Sequence, residues 1–177
     1  MPYAVHLFFD ENTETKINQI WKKLADTGIA PYLHQSANRP HITLAVYQQL
    51  DPAACQTLLR SIAAEQPPLP LSFQYIGIFP TPGAVFAGPT VADTLLNLHR
   101  RTHETLQPIS ADPTPYYVPG QWVPHCTLAM ELTPELLTPA VEISLELSLP
   151  LEGKITKIGC TEQPPVKHLF GFELGSG

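Results

Sequence analysis

Residues 40–45 read PHITLA, and residues 124–129 read PHCTLA. The hexapeptides agree at five of six positions and lie 84 residues apart. In a strand, residues i and i+2 share a face. His41 and Thr43 therefore lie on one side of their strand, and His125 and Thr127 on one side of theirs. Ile42, Leu44, Cys126 and Leu128 point the other way, into a core. The repeat extends past the motif. Each copy is followed by a helical stretch and then by a similar strand, LPLSFQYIGIF from residue 69 and LPLEGKITKIGCT from residue 149. His41 to Gly77 spans 36 positions and His125 to Gly159 spans 34. This order predicts a single unit over 1–177 with two similar lobes, an internal duplication with motifs at 41–43 and 125–127.

Outward from the motifs, AVHLFF (4–9) reads as a first strand. Ile17, Ile20, Trp21 and Leu24 recur at helical spacing, and Gly28 suits the end of that helix. IAPYLHQ reads as an irregular strand. Asp51-Pro52 opens a helix reaching about Gln66. PTPG joins strands 71–79 and 84–88. A helix over 90–106 turns Leu95, Leu98 and Leu106 inward. Residues 107–121 form a proline-rich loop, a length that often carries function. TPELLTPA offers at most a short helix, and EISLELSL, GKITKIGCT and KHLFGFEL read as strands. The class is α+β, with antiparallel sheets around a central cleft and helices outside.

Composition excludes several functions. The chain has 177 residues, 44% of them apolar and 15% charged, with a formal net charge of −6. An acidic chain with ten Lys and Arg lacks the basic footprint of a protein that grips long nucleic acid. No DNA partner is expected. Three cysteines without C-x-x-C spacing argue against a disulfide framework or zinc knuckle and for a reducing compartment. No apolar run is long enough to span a bilayer, and MPYAVHLFFDEN lacks the basic start of a secretory signal. The expectation is a cytoplasmic monomer without membrane contact.

If the two lobes face each other, one cleft holds two imidazoles and two hydroxyls. An unperturbed histidine pKa of about 6.5 lets a neutral and a protonated ring coexist near neutrality. The neutral ring takes a proton from the attacking hydroxyl, and the protonated ring gives one to the leaving oxygen. Threonine hydroxyls donate to phosphoryl oxygens, where charge concentrates. No metal or cofactor is needed.

Two H-x-T motifs in matching strands of a pseudo-symmetric α+β unit resemble the two-histidine (2H) phosphoesterase superfamily, and within it the 2'-5' RNA ligase and RNA 2',3'-cyclic phosphodiesterase proteins. The resemblance covers nearly the whole chain. It implies metal-independent opening of cyclic phosphates on RNA 3' ends or cyclic nucleotides. It also implies His41 as general acid, His125 as general base, and Thr43 and Thr127 as phosphate binders. The alternatives are 2'-5' RNA ligation and a nucleotide-binding module without turnover.

Other residues carry weaker signals. Alternation puts Arg39 on the His41 face, where it either pairs with a phosphate or lies in solvent. Tyr116, Tyr117 and Trp122 can stack a base or pack the long loop. His6 and Phe8 share a face of the first strand and can line the cleft, although core packing suits Phe8 better. His99 and His103, four apart on a helix, read as exposed histidines rather than metal ligands. His34 and His168 carry no separate signal. Cys126 faces away from its histidine, which argues against a thiol nucleophile.

Overall fold

The computed structural model describes residues 2–175. These form strands β1 (Tyr3–Phe9), β2 (His41–Leu50), β3 (Leu69–Phe79), β4 (Ala84–Pro89), β5 (Ser110–Pro113), β6 (Cys126–Ala129), β7 (Leu151–Glu162) and β8 (Lys167–Glu173). The helices are α1 (Glu11–Asp26), α2 (Tyr32–Gln35), α3 (Pro52–Glu65), α4 (Asp93–Leu106) and α5 (Pro134–Ser144). None of the described helices is long and apolar enough to cross a membrane.

Helix starts follow local chemistry. Asp10 caps α1 by accepting from Thr13 N at 3.1 Å, and its second oxygen accepts from Lys154 N at 2.6 Å, tying the helix to β7. Asp51 caps α3 through the Ala53 and Ala54 amides, with Pro52 in the first turn. Gly28 takes φ +75°, the left-handed geometry that ends α1.

All strand pairs are antiparallel, in the order β5-β2-β1-β7-β3-β4-β6 with β8 on β7. The α+β class therefore holds. The two expected sheets are continuous, because β3 and β7 pair at their starts and join them. From that seam the order reads outward alike: β7, β1, β2 on one side and β3, β4, β6 on the other. The seam register matches this arrangement. Leu71 pairs with Gly153 and Phe73 with Leu151, and adding 80 to one number while subtracting 80 from the other exchanges the pairs.

The ladders carry matching irregularities. On one side the register slips between Val5 and His6, so Val5 faces Ala45 while His6 faces Thr43. On the other it slips between Val85 and Phe86, so Val85 faces Ala129 while Phe86 faces Thr127. Each bulge skips the leucine after the motif threonine. Ile42, Leu44, Cys126 and Leu128 are fully buried, as alternation requires.

Three expected elements differ. IAPYLHQ contains the short helix α2, whose Leu33 is buried. TPELLTPA and the start of EISLELSL form one helix, α5, running through Pro139. Leu137, Ala140, Val141 and Ser144 recur at helical spacing toward the core, and this outweighs both the proline and the alternating leucines. Leu145, expected in a strand, is exposed beyond the helix. The 107–121 loop holds two short 3-10 turns and β5, which pairs with β2.

Candidate active site

Both motif histidines follow a buried proline, Pro40 or Pro124. Proline has no N–H and holds the preceding residue extended. Each imidazole then meets the carbonyl two residues back: His41 Nδ1 donates to Arg39 O at 2.6 Å, and His125 Nδ1 to Val123 O at 2.7 Å. A carbonyl can only accept, so Nδ1 carries the hydrogen in both rings. Nε2 of each is left for chemistry. It takes a proton when neutral and gives one when charged.

The Thr43 and Thr127 carbonyls, beside the two bulges, are held in parallel fashion. Trp122 Nε1 donates to Thr43 O at 2.9 Å, and Trp21 Nε1 to Thr127 O at 3.0 Å. Each indole comes from outside the strand it holds. Trp21 belongs to α1, and Trp122 lies just before the second motif.

The walls differ between the halves. His41 sits against His6, with centroids 4.2 Å apart, and against the edge of Phe8 at 6.3 Å. His125 sits against Phe79 at 4.9 Å and Phe86 at 5.4 Å. Phe86 lies across Gly77, where an added Cβ would stand 2.3 Å from its ring. The glycine therefore makes room for that wall. On the His125 side opens a cavity of about 730 Å³, lined by Phe79, Tyr116, Tyr117, Thr127 and Met130 among others.

Burial holds the His41 pKa at about 4, with His125 and His168 lowering it further and the Arg39 carbonyl opposing. Burial also lowers His125, offset by its bond to Val123 O.

Arg39 binds Glu14 at 2.7 Å and lies 4.8 Å over the Phe8 ring. With Lys157 and His168 it lines a smaller hollow of about 210 Å³. Lys157 is itself 3.5 Å from Glu173, so both cations there already have a carboxylate partner. Tyr117 is half-buried in the larger cavity, while Tyr116 is exposed. Trp122 stacks flat on His99, centroids 4.0 Å apart and planes within 2°. His6 is buried between Thr43 and Thr161.

His99 and His103 are not exposed. His99 is buried and donates from Nε2 to Tyr117 O at 2.7 Å, and His103 meets Leu44 O and the Tyr47 hydroxyl. This face of α4 packs on β2 and the long loop, so both rings belong to the support behind the site. Among the described residues no group of three or more His, Cys, Asp or Glu is placed to hold a metal ion. Sequence reasoning missed Thr161 and the hydrogen-bonding role of Trp21, which its helical spacing marks only as core.

The sequence model of the 2'-5' RNA ligase superfamily matches residues 9–164. Among solved structures, TT0787 of Thermus thermophilus is 18% identical, with a TM-score of 0.65 over 99% of this chain and 98% of that one. E. coli LigT complexed with NADP+ is 15% identical, with a TM-score of 0.60 over 99% of both chains. LigT complexed with 3'-AMP is 13% identical, with a TM-score of 0.60 over 97% and 96%. At these identities the likeness is one of fold. No curated protein matches the sequence.

Proposed function

The chain belongs to the 2'-5' RNA ligase superfamily, and on that footing we propose that it opens 2',3'-cyclic phosphates at RNA ends or on nucleotides, without a metal. The observation that carries this reading is the matched pair of imidazoles, each giving Nδ1–H to a backbone carbonyl and keeping Nε2 for substrate. His125 takes a proton from water as its oxygen bonds to phosphorus. His41 gives a proton to the ribose oxygen as the ring P–O bond breaks, leaving a phosphomonoester. The Thr43 and Thr127 hydroxyls donate to the phosphoryl oxygens. His41, near 4 in the free protein, becomes an acid when an anionic phosphate beside it favours the charged ring.

The aromatic cavity on the His125 side suits a nucleoside, and the LigT structures hold nucleotides of this kind. The same reading takes residues 1–177 as one bilobal unit made by duplication, supported by the mirrored strand order and matched bulges. Three buried free thiols suit the cytoplasm.

The test is hydrolysis, in EDTA, of a cyclic mononucleotide and of a short RNA ending in a cyclic phosphate. Wild type turns over at least one, and His41→Ala and His125→Ala each lose on the order of a hundredfold or more. Nucleotide binding without turnover identifies a binding module instead. Joining to a 5'-hydroxyl identifies a ligase.

A further inference from the structure

The two motif threonines are not equivalent. Thr127 faces Phe86 across its ladder, whereas Thr43 faces His6 in the corresponding place. His6 is 3% exposed and sits at the end of a line of polar groups: Gln163 Nε2 donates to Thr161 Oγ1 at 3.3 Å, Thr161 Oγ1 lies 2.9 Å from His6 Nε2, and His6 Nδ1 lies 3.2 Å from Thr43 Oγ1.

The direction of donation follows from the inventory of each group. Of the two partners of Thr161 Oγ1, the Gln163 amide nitrogen donates and cannot accept. Of these two partners only His6 Nε2 can accept the Thr161 hydroxyl hydrogen, and donation there is the direction that satisfies the buried hydroxyl. A neutral imidazole carries one hydrogen, so with Nε2 accepting, that hydrogen is on Nδ1 and points at Thr43 Oγ1. Burial, with His41 adjacent, keeps His6 neutral. Thr43 Oγ1 then accepts from His6, and its own hydrogen is free for the cleft. With the other tautomer, Thr43 would spend its hydrogen on His6 and face a phosphate with lone pairs only.

We infer that His6, backed by Thr161 and Gln163, is a positioning residue that keeps the Thr43 hydroxyl a donor toward the substrate's phosphoryl oxygen. The inference rests on the proposed phosphoesterase reading for its consequence, but not for its geometry. His6 forms no hydrogen bond to His41, so it acts through Thr43 and not as a third acid or base. Successive donation polarises each bond in the line and strengthens the last donor.

The experiment is a double-mutant cycle with an independent spectroscopic arm. His6→Phe puts at position 6 the residue that faces the other threonine and removes both ring nitrogens. In wild type it is expected to lower kcat about tenfold with KM little changed. In a Thr43→Val background, itself down on the order of a hundredfold, it is expected to change kcat by less than about twofold. Additive losses overturn the inference, as does full activity in His6→Phe. Should His6→Phe not fold, Thr161→Val replaces it in the same cycle with the same criterion. The second arm reads the His6 tautomer in wild type by 15N NMR, the resonance being the one absent from His6→Phe or shifted in Thr161→Val. Hydrogen on Nδ1 is expected; hydrogen on Nε2 overturns the inference even if wild type proves inactive. Inactive wild type with the expected tautomer defeats the phosphoesterase reading while leaving the hydrogen-bond line intact.

Discussion

Acidification from pH 7.5 to 5.5 destabilises the fold through its buried histidines, and His99 allows the size of one contribution to be worked out. His99 stacks on Trp122, gives its Nε2–H to Tyr117 O and is 2% exposed. Burial holds its pKa at about 4, with His103 lowering it further and the Tyr117 carbonyl opposing. In the unfolded chain the value returns to about 6.5. A folded pKa below the unfolded one means that the unfolded state binds more protons between those values, so stability falls as pH falls through 6.5. At pH 5.5 the unfolded ring is mostly charged and the folded ring is not, and the difference from pH 7.5 is on the order of 1.3 kcal/mol. The Asp10 carboxyl, held low mainly by its bonds to the Lys154 and Thr13 amides against an opposing burial cost, titrates below this window. The assay is urea unfolding at both pH values for wild type and His99→Gln, whose amide can still donate to Tyr117 O but does not titrate. Removing His99 is expected to shrink the pH-dependent loss by about 1 kcal/mol, whatever it does to stability at pH 7.5. An unchanged pH dependence would refute the argument, because it would mean the folded ring titrates as freely as the unfolded one.

Three further outcomes follow from the site. Inorganic phosphate binds more tightly as pH falls from about 7 to 5, by up to tenfold per pH unit for each proton taken up, because the anion raises the depressed pKa values of His41 and His125; isothermal titration at several pH values checks this. A cyclic substrate with sulfur as the bridging leaving atom needs little protonation, so it restores rate to His41→Ala and not to His125→Ala; the opposite pattern exchanges acid and base. Gly77→Ala forces the Phe86 ring off the wall beside His125, lowering stability by about 1–3 kcal/mol and kcat with it, as thermal melts and steady-state rates would show.

The motif residues were legible because their signal is local. Proline, histidine and threonine at fixed spacing in a strand determine a face, and the second copy raises the pattern above chance. The supporting groups were not legible. Thr161 lies 155 positions from His6 in the sequence, and nothing near either residue announces the contact. His99 and His103 read as exposed because a helix reveals which residues share a face but not what covers that face. Here it is β2 and the proline-rich loop, through Leu44 O and Tyr117 O. Trp122 puts an aromatic ring beside that loop, but its two anchors, Thr43 O and the His99 ring, depend on the tertiary fold. Around α5 the alternating Ile143, Leu145, Leu147 and Leu149 read as a strand, because two periodicities compete over so short a stretch and packing against the sheet decides between them.

The most direct test of the central claim is the pH dependence of kcat/KM for an RNA ending in a 2',3'-cyclic phosphate, in EDTA, across about pH 4 to pH 8. In the free protein both motif rings are depressed below the ordinary histidine value. The account therefore predicts a bell with its maximum below about pH 6.5, lost in His41→Ala and in His125→Ala alike. Rates that vanish in EDTA, or that survive removal of either ring, would contradict it.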